Sequence, residues 1–257
     1  MRAGGGEARA EFQLALQFLT RLPVPDPGYS DTRMARSPRW YPLAGALIGL
    51  IVAVVYALAA RVFPVPVAVL VSTGFGLMLT GALHEDGFAD CCDGLGGGAT
   101  RERAMEIMRD SRLGSYGALG LGMMLALKAL ALIALAPEGA VYWGLVAAHA
   151  ASRASAVVVM ATSTYQRPSG AGTPVSGGID RAGLGFALAC GAAAVLPLWV
   201  FAVPLMAVVC ALAGLALGHL AMRRVYERRL GGHTGDCLGA VQQCSELGFY
   251  LGLLAWL

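Results

Sequence analysis

The chain has 257 residues, of which 57% are hydrophobic and only 14% charged, and its mean hydropathy is +0.64. That balance excludes a soluble globule and a disordered chain, which needs low hydrophobicity and dense charge, while 35 glycines without a three-residue period exclude a collagen-like repeat. A net charge of +3 gives no reason to expect a nucleic-acid partner, so the composition points to an all-α, polytopic membrane protein.

Residues 1–41 form an interfacial segment ahead of a single transmembrane domain over 42–257. The apolar run Phe12 to Leu19 is interrupted by Gln13 and Gln17 and meets Arg21-Leu22-Pro23 with no small-residue cleavage site. It therefore reads as an amphipathic helix on a membrane surface rather than as a signal peptide. A window of about 20 residues, the length that crosses the hydrocarbon layer, then finds spans at 42–61, 65–84, 116–136, 140–162, 184–203, 205–222 and 237–257. Pro197 and Pro204 allow 184–222 to be a kinked pair, and the last span begins with polar residues, so about six to seven transmembrane helices are expected.

The cationic residues sort by loop. Residues 1–41 hold six, 85–115 four, 163–183 two and 223–236 four, whereas Arg61 alone lies on the other side. Cationic loops stay in the cytoplasm, which predicts an inside N-terminus, an outside C-terminus and a polar site facing the cytoplasm. The six cysteines stand at 91, 92, 190, 210, 237 and 244, without CxxC pairs or a zinc pattern. They read as small buried hydrophobes, with Cys91 and Cys92 as neighbours of a site.

The second span runs into His84-Glu85-Asp86-Gly87-Phe88-Ala89-Asp90-Cys91-Cys92-Asp93-Gly94. If the helix continues, Asp90 lies about 40° from Asp86 and Asp93 about 20° to the other side, so three carboxylates share one face. Clustered like charges beside low dielectric need a cation to hold them together, and oxygen ligands suit Mg²⁺ or Mn²⁺ with a phosphate-bearing substrate. The bland alternative is a solvated helix end.

Thr100 then caps a short surface helix with Ala104, Met105, Ile107 and Met108 on its apolar side, ending near Gly114. On it, Arg109 and Arg112, one turn apart, are candidates for gripping phosphate oxygens, with Asp110 to orient them or join the metal shell and Ser111 beside them. The competing reading sends these arginines to lipid headgroups. Lys128 and Arg153 fall inside spans, where an unpaired cation costs roughly 2.5–3.5 kcal/mol, so both should face a polar interior and are candidate substrate ligands. His149, one turn before Arg153, reads as a helix–helix hydrogen-bonding residue.

Ser169-Gly170-Ala171-Gly172-Thr173-Pro174 reads as a loop that closes over substrate. Gly231-Gly232-His233-Thr234-Gly235-Asp236 opens the final helix and offers backbone amides to an anion through Gly232 and Thr234. On that helix Asp236, Gln243, Glu246 and Tyr250 fall within about 80° of each other, an inward-facing polar stripe.

These motifs, together with Phe18-Leu19-Thr20-Arg21-Leu22-Pro23-Val24-Pro25, Tyr41-Pro42-Leu43-Ala44-Gly45, Glu106 to Gly114 and Ser152-Arg153, resemble in order those of the cobalamin synthase (adenosylcobinamide-GDP ribazoletransferase) family. The resemblance implies an enzyme of a prokaryotic inner membrane. It would join α-ribazole, or its 5′-phosphate, to adenosylcobinamide-GDP with Mg²⁺, releasing GMP, amid membrane lipid and with a homo-oligomer as one possible state. It assigns Asp86, Asp90 and Asp93 to the metal, and Asp86, Asp110, Asp236, Arg109 and Arg112 to catalysis. The substrate falls to Arg153, Lys128, Gly232, Thr234 and Ser111. The chain departs from the family pattern at Glu85, where an uncharged residue is usual, and at Gln243, where a carboxylate is common.

Two other enzyme classes use similar groups. A CDP-alcohol phosphotransferase requires arginine where Asp90 stands, and an intramembrane prenyltransferase normally carries two similar aspartate clusters, of which only one is present. A transporter would show an inverted repeat with polar groups near the midplane, whereas here they crowd one face.

Overall fold

The computed structural model describes residues 3–167 and 179–257, all helix and connecting turns apart from one isolated bridge between Tyr165 and His233. The helices in chain order are α1 (Ala3–Leu19), α2 (Asp31–Arg36), α3 (Tyr41–Ala59), α4 (Val65–Thr80), α5 (Leu83–Gly97), α6 (Arg101–Ile107), α7 (Ser115–Leu135), α8 (Val141–Thr162), α9 (Arg181–Phe201), α10 (Leu205–Leu230) and α11 (Gly235–Trp256). Five stretches, Asp31–Ala59 and the four helices α7 to α10, are long and apolar enough to cross a membrane, and α4 with α5 make a sixth as a bent pair. Helix α11 has the length of a span but carries the polar residues Gln242, Gln243, Ser245 and Glu246 in its middle. All four are buried inside the bundle, against α5, α7, α8 and α10, where polar side chains find partners instead of lipid.

The expected second span does not run straight into the aspartates. Gly81 and Ala82 both take left-handed backbone angles, φ 63° and 54°, which ends α4 and turns α5 by 89°. Glycine meets that geometry without penalty, whereas alanine at positive φ carries strain of about 1–2 kcal/mol. The bend lays α5 across the end of the bundle, which buries Asp93, leaves Asp90 half-buried and leaves Asp86 exposed. At the other proline-rich break, Pro197 lies inside α9 and the chain turns only at Ala202–Pro204, giving two separate helices.

Helix α1 is anchored through a buried charge. Glu11, 1% exposed, receives Arg39 and the Trp40 indole N–H at 3.1 Å, while Phe18 stacks on Tyr41 at 5.8 Å. The apolar side expected of this helix therefore packs on the start of α3.

Arginines tie the loops of one end together. Arg101 donates to the Leu230 carbonyl (2.9 Å), Arg223 to that of Thr162 (3.1 Å) and Arg229 to that of Gly98 (2.7 Å). Each guanidinium thus satisfies carbonyls left over at the C-terminus of a helix, α10, α8 and α5 respectively, and meets the negative end of its dipole. The loops 97–115, 163–167 and 231–234 are gathered at the same end of the bundle, as the sorting of cations predicts.

Candidate active site

Helices α5 and α11 cross in backbone contact. A Cβ on Gly87 would sit 2.9 Å from the Asp236 Cα, and one on Gly239 would sit 2.9 Å from the His84 carbonyl oxygen, so glycine at both positions allows the approach. The crossing brings Asp86 and Asp236 to the wall of one cavity of about 230 Å³, shared with His84, Arg153, Tyr165, Arg167 and the end of α1 at Phe18 and Leu19. Asp90, one turn beyond Asp86, lies within electrostatic reach of both Asp86 and Asp236. Two arginines stand among these carboxylates. Arg167 binds Asp236 Oδ2 at 2.5 Å and the Met108 carbonyl at 3.3 Å, which ties the α6–α7 loop to the site.

The third aspartate has another task. Asp93 accepts the Gly114 N–H on one oxygen (2.7 Å) and the Gly117 N–H on the other (2.8 Å), capping α7 from a distance because its own cap residue, Gly114, has no side chain. Within the expected Asp86–Asp90–Asp93 metal set, these two hydrogen bonds set Asp93 apart. Both Asp93 oxygens already serve orphan amides, and among the described residues no group of three His, Cys, Asp or Glu is arranged to hold a metal ion. The donors that remain at the cavity, Asp86 and Asp90 with Asp236 opposite, still suit Mg²⁺. That ion commonly takes only one or two carboxylates and completes its shell with water and substrate phosphates.

Beneath the cavity lies a smaller chamber of about 40 Å³, lined by Glu85, Lys128, His149, Arg153, Gln243, Glu246 and Tyr250. Lys128 Nζ meets Glu246 Oε1 at 2.7 Å and Gln243 Oε1 at 3.1 Å, and Gln243 Nε2 donates to Glu85 Oε1 at 2.8 Å. The two departures from the family pattern are thus in contact with each other. The inward polar stripe of α11 is as expected, but Lys128 is engaged by Glu246 in the chamber and does not line the outer cavity. Arg153 is the one side chain of the two span cations that reaches both compartments.

Other candidates stand apart. Arg112 pairs with Asp110 at 2.6 Å with 86% of its side chain exposed, and that hydrogen-bonded guanidinium holds the Asp110 carboxyl down at about 2. Arg109 and Ser111 are exposed, and none of these four lines the cavity. Helix α6 begins at Thr100 as expected, but it stops at Ile107, and Gly114 starts the next helix instead of ending this one.

The glycine loop is also used internally. Gly231, at φ 74°, closes α10; the His233 N–H donates to the Thr164 carbonyl (2.9 Å); Thr234 caps α11 by accepting the Cys237 N–H (3.3 Å). Gly232 is crossed so closely by Thr164 and Gln166 that a Cβ there would strike both. The loop is therefore a clasp that delivers Asp236, with the Thr234 hydroxyl used as a cap and Gly232 needed for a close backbone crossing. The 169–174 loop lies outside the described residues. Arg167, His84 and Tyr165 were missed as site residues; the only sequence signal for Arg167 was its place as one of two cations in the 163–183 loop.

Together these features define a polytopic membrane protein whose charged cavity, walled by aspartates and arginines from separate helices, sits at the loop-rich end of its bundle. The chain belongs to the family described as Cobalamin-5-phosphate synthase, which it matches over residues 11–254. It is an enzyme of cobalamin biosynthesis, a transferase. It is 47% identical to an adenosylcobinamide-GDP ribazoletransferase of Leptothrix cholodnii, covering 97% of this chain and 96% of that protein. Relatives of the same description from Ralstonia pickettii (45%, covering 95% and 94%) and Vibrio parahaemolyticus (38%, covering 95% and 92%) match equally completely. No solved structure matches the chain.

Proposed function

We propose that the cavity joins α-ribazole, or its 5′-phosphate, to adenosylcobinamide-GDP with Mg²⁺, at the cytoplasmic side of a bacterial inner membrane. The observation that carries this reading is the placement of Asp86 and Asp236 around the same 230 Å³ cavity as Arg153 and Arg167. A pyrophosphate is a dianionic bridge, and such a site supplies guanidinium forks for its oxygens and carboxylates for a hard cation.

In the reaction the ribazole hydroxyl oxygen bonds to the cobinamide-side phosphorus, the bond from that phosphorus to the bridging oxygen breaks, and GMP leaves with the bridging oxygen. Bound Mg²⁺ would supply neutralisation of charge on the phosphate oxygens. Arg153 holds the pyrophosphate from the buried side. Arg167, released from Asp236 as phosphate arrives, holds it from the loop side and frees a carboxylate oxygen to take the hydroxyl proton. Asp86 and Asp90 would hold the cation, whose charge would offset the repulsion between their carboxylates. The sidedness rests on the clustering of Arg101, Arg167, Arg223 and Arg229 at the cavity end.

Membranes carrying the chain should release GMP from adenosylcobinamide-GDP when ribazole phosphate and Mg²⁺ are supplied. Asp86→Asn should lower the rate about a hundredfold to a thousandfold, the scale for losing a preorganised electrostatic group, with the protein still folded. Absence of GMP release, or an Asp86→Asn enzyme with ordinary turnover, would overturn the reading.

A further inference from the structure

Arg153 is 2% exposed, and among the described residues it forms no ion pair with a carboxylate. A buried guanidinium without a direct counter-charge is costly unless its surroundings fix it and a ligand completes it. What fixes it is its own helix. Nη1 donates to the His149 carbonyl at 2.9 Å and lies 3.2 Å from His149 Nδ1, one turn earlier in α8, while Nε has no partner.

His149 is held in turn. Its Nδ1 is 3.4 Å from Glu246 Oε2, which also accepts from Gln242 Nε2 at 2.6 Å, and the other oxygen of Glu246 takes Lys128. Gln242 has no freedom left, because its amide also donates to Ser152 Oγ (2.8 Å) and accepts from Gln243 (2.8 Å). His149 Nδ1 therefore stands between Glu246 and the arginine that lines the outer cavity, and it can bond only one of the two at a time. Both Glu246 and Glu85 act on Arg153 electrostatically without touching it. A direct carboxylate partner would occupy the fork, whereas a remote one leaves the fork open.

We propose that His149 and Glu246 are positioning residues that aim the Arg153 guanidinium into the outer cavity and keep its free edge available to the substrate pyrophosphate. Nδ1 serves either neighbour. Bare, it accepts from Arg153 and Glu246 keeps Lys128 and Gln242; protonated, it donates to Glu246 and Arg153 keeps the backbone carbonyl. In both forms the guanidinium stays pinned at one nitrogen. The proposal deepens the reading of the cavity given above and rests on Arg153 meeting phosphate.

The test is a double-mutant cycle on the purified full-length chain, read as KM and kcat for adenosylcobinamide-GDP in GMP release. Arg153→Lys should lower kcat/KM about tenfold to a hundredfold. His149→Leu should lower it about tenfold, mainly through KM. His149→Asn, whose side-chain amide can replace Nδ1, should recover most of that loss. In the Arg153→Lys background His149→Leu should add little, because the fork it aims is gone. Should the leucine variant fail to accumulate, Lys128→Met with Glu246→Gln, a neutral pair of similar shape, carries the same cycle. Wild-type kinetics for His149→Leu, or effects that multiply in full with Arg153→Lys, would overturn the positioning role while leaving the cavity's reaction standing. Unchanged kinetics for Arg153→Lys would remove the phosphate contact and the proposal with it, and only a wild-type chain that releases no GMP would sink the proposed reaction.

Discussion

Glu85 and Asp86 are neighbours in the chain, yet they serve two compartments that differ in how their charges are settled. Glu85 faces the inner chamber, where one of its oxygens accepts from Gln243 and the other has no partner, while Lys128 joins Gln243 to Glu246 through an ion pair 2.7 Å long and almost wholly buried. Asp86 faces the outer cavity, where aspartates gather with only Arg167 directly on one of them. In the first case the protein itself supplies the ion pair of Lys128 with Glu246, whereas in the second Asp86 stays exposed to solvent and open to the ligand proposed above. Among the described residues, Arg153 is the one that lines both zones. Similar residue types thus become structure on one side of a guanidinium and function on the other.

That contrast is sharpest at Lys128. Lys128→Met leaves the Glu246 carboxylate buried without its cation, and the expected cost is about 3–5 kcal/mol. Adding Glu246→Gln should return most of that stability without returning turnover, as thermal melting in detergent beside GMP release will show. A single variant that melts like the wild type would mean that the inner ion pair does not hold the bundle.

A smaller effect separates the aspartates themselves. Asp93→Asn removes the charge that accepts two amides at the start of α7 and should cost about 1–2 kcal/mol of stability, with turnover reduced far less than by Asp86→Asn. Unchanged melting with abolished activity would return Asp93 to the metal set.

The smallest effect belongs to the surface. Arg109→Lys and Arg112→Lys should each keep turnover within about threefold, as expected for exposed groups that do not line the cavity. A tenfold or larger fall in kcat/KM would show that the 109–112 loop reaches the pyrophosphate during turnover.

The sequence by itself determined the membrane class, the positions of most of the spans and the gathering of the cationic loops at one end, because hydrophobic length and arginine distribution are local properties that a bilayer reads directly. It also marked Asp86, Asp236 and Arg153, since an ionisable residue at the end of or within an apolar helix needs a partner. Helical periodicity placed Asp93 on the same stripe as Asp86 and Asp90, but it is blind to what each side of a helix meets. Only the tertiary structure decided that Asp93 serves α7, that Lys128 belongs to Glu246, and that Gly232 and Thr234 form a clasp. The left-handed turn at Gly81–Ala82, which swings α5 across the bundle, and the contact of Gly87 with Asp236 across 149 positions of sequence had the same origin. Partners of that kind are chosen by packing between distant helices, and no spacing within one helix encodes them.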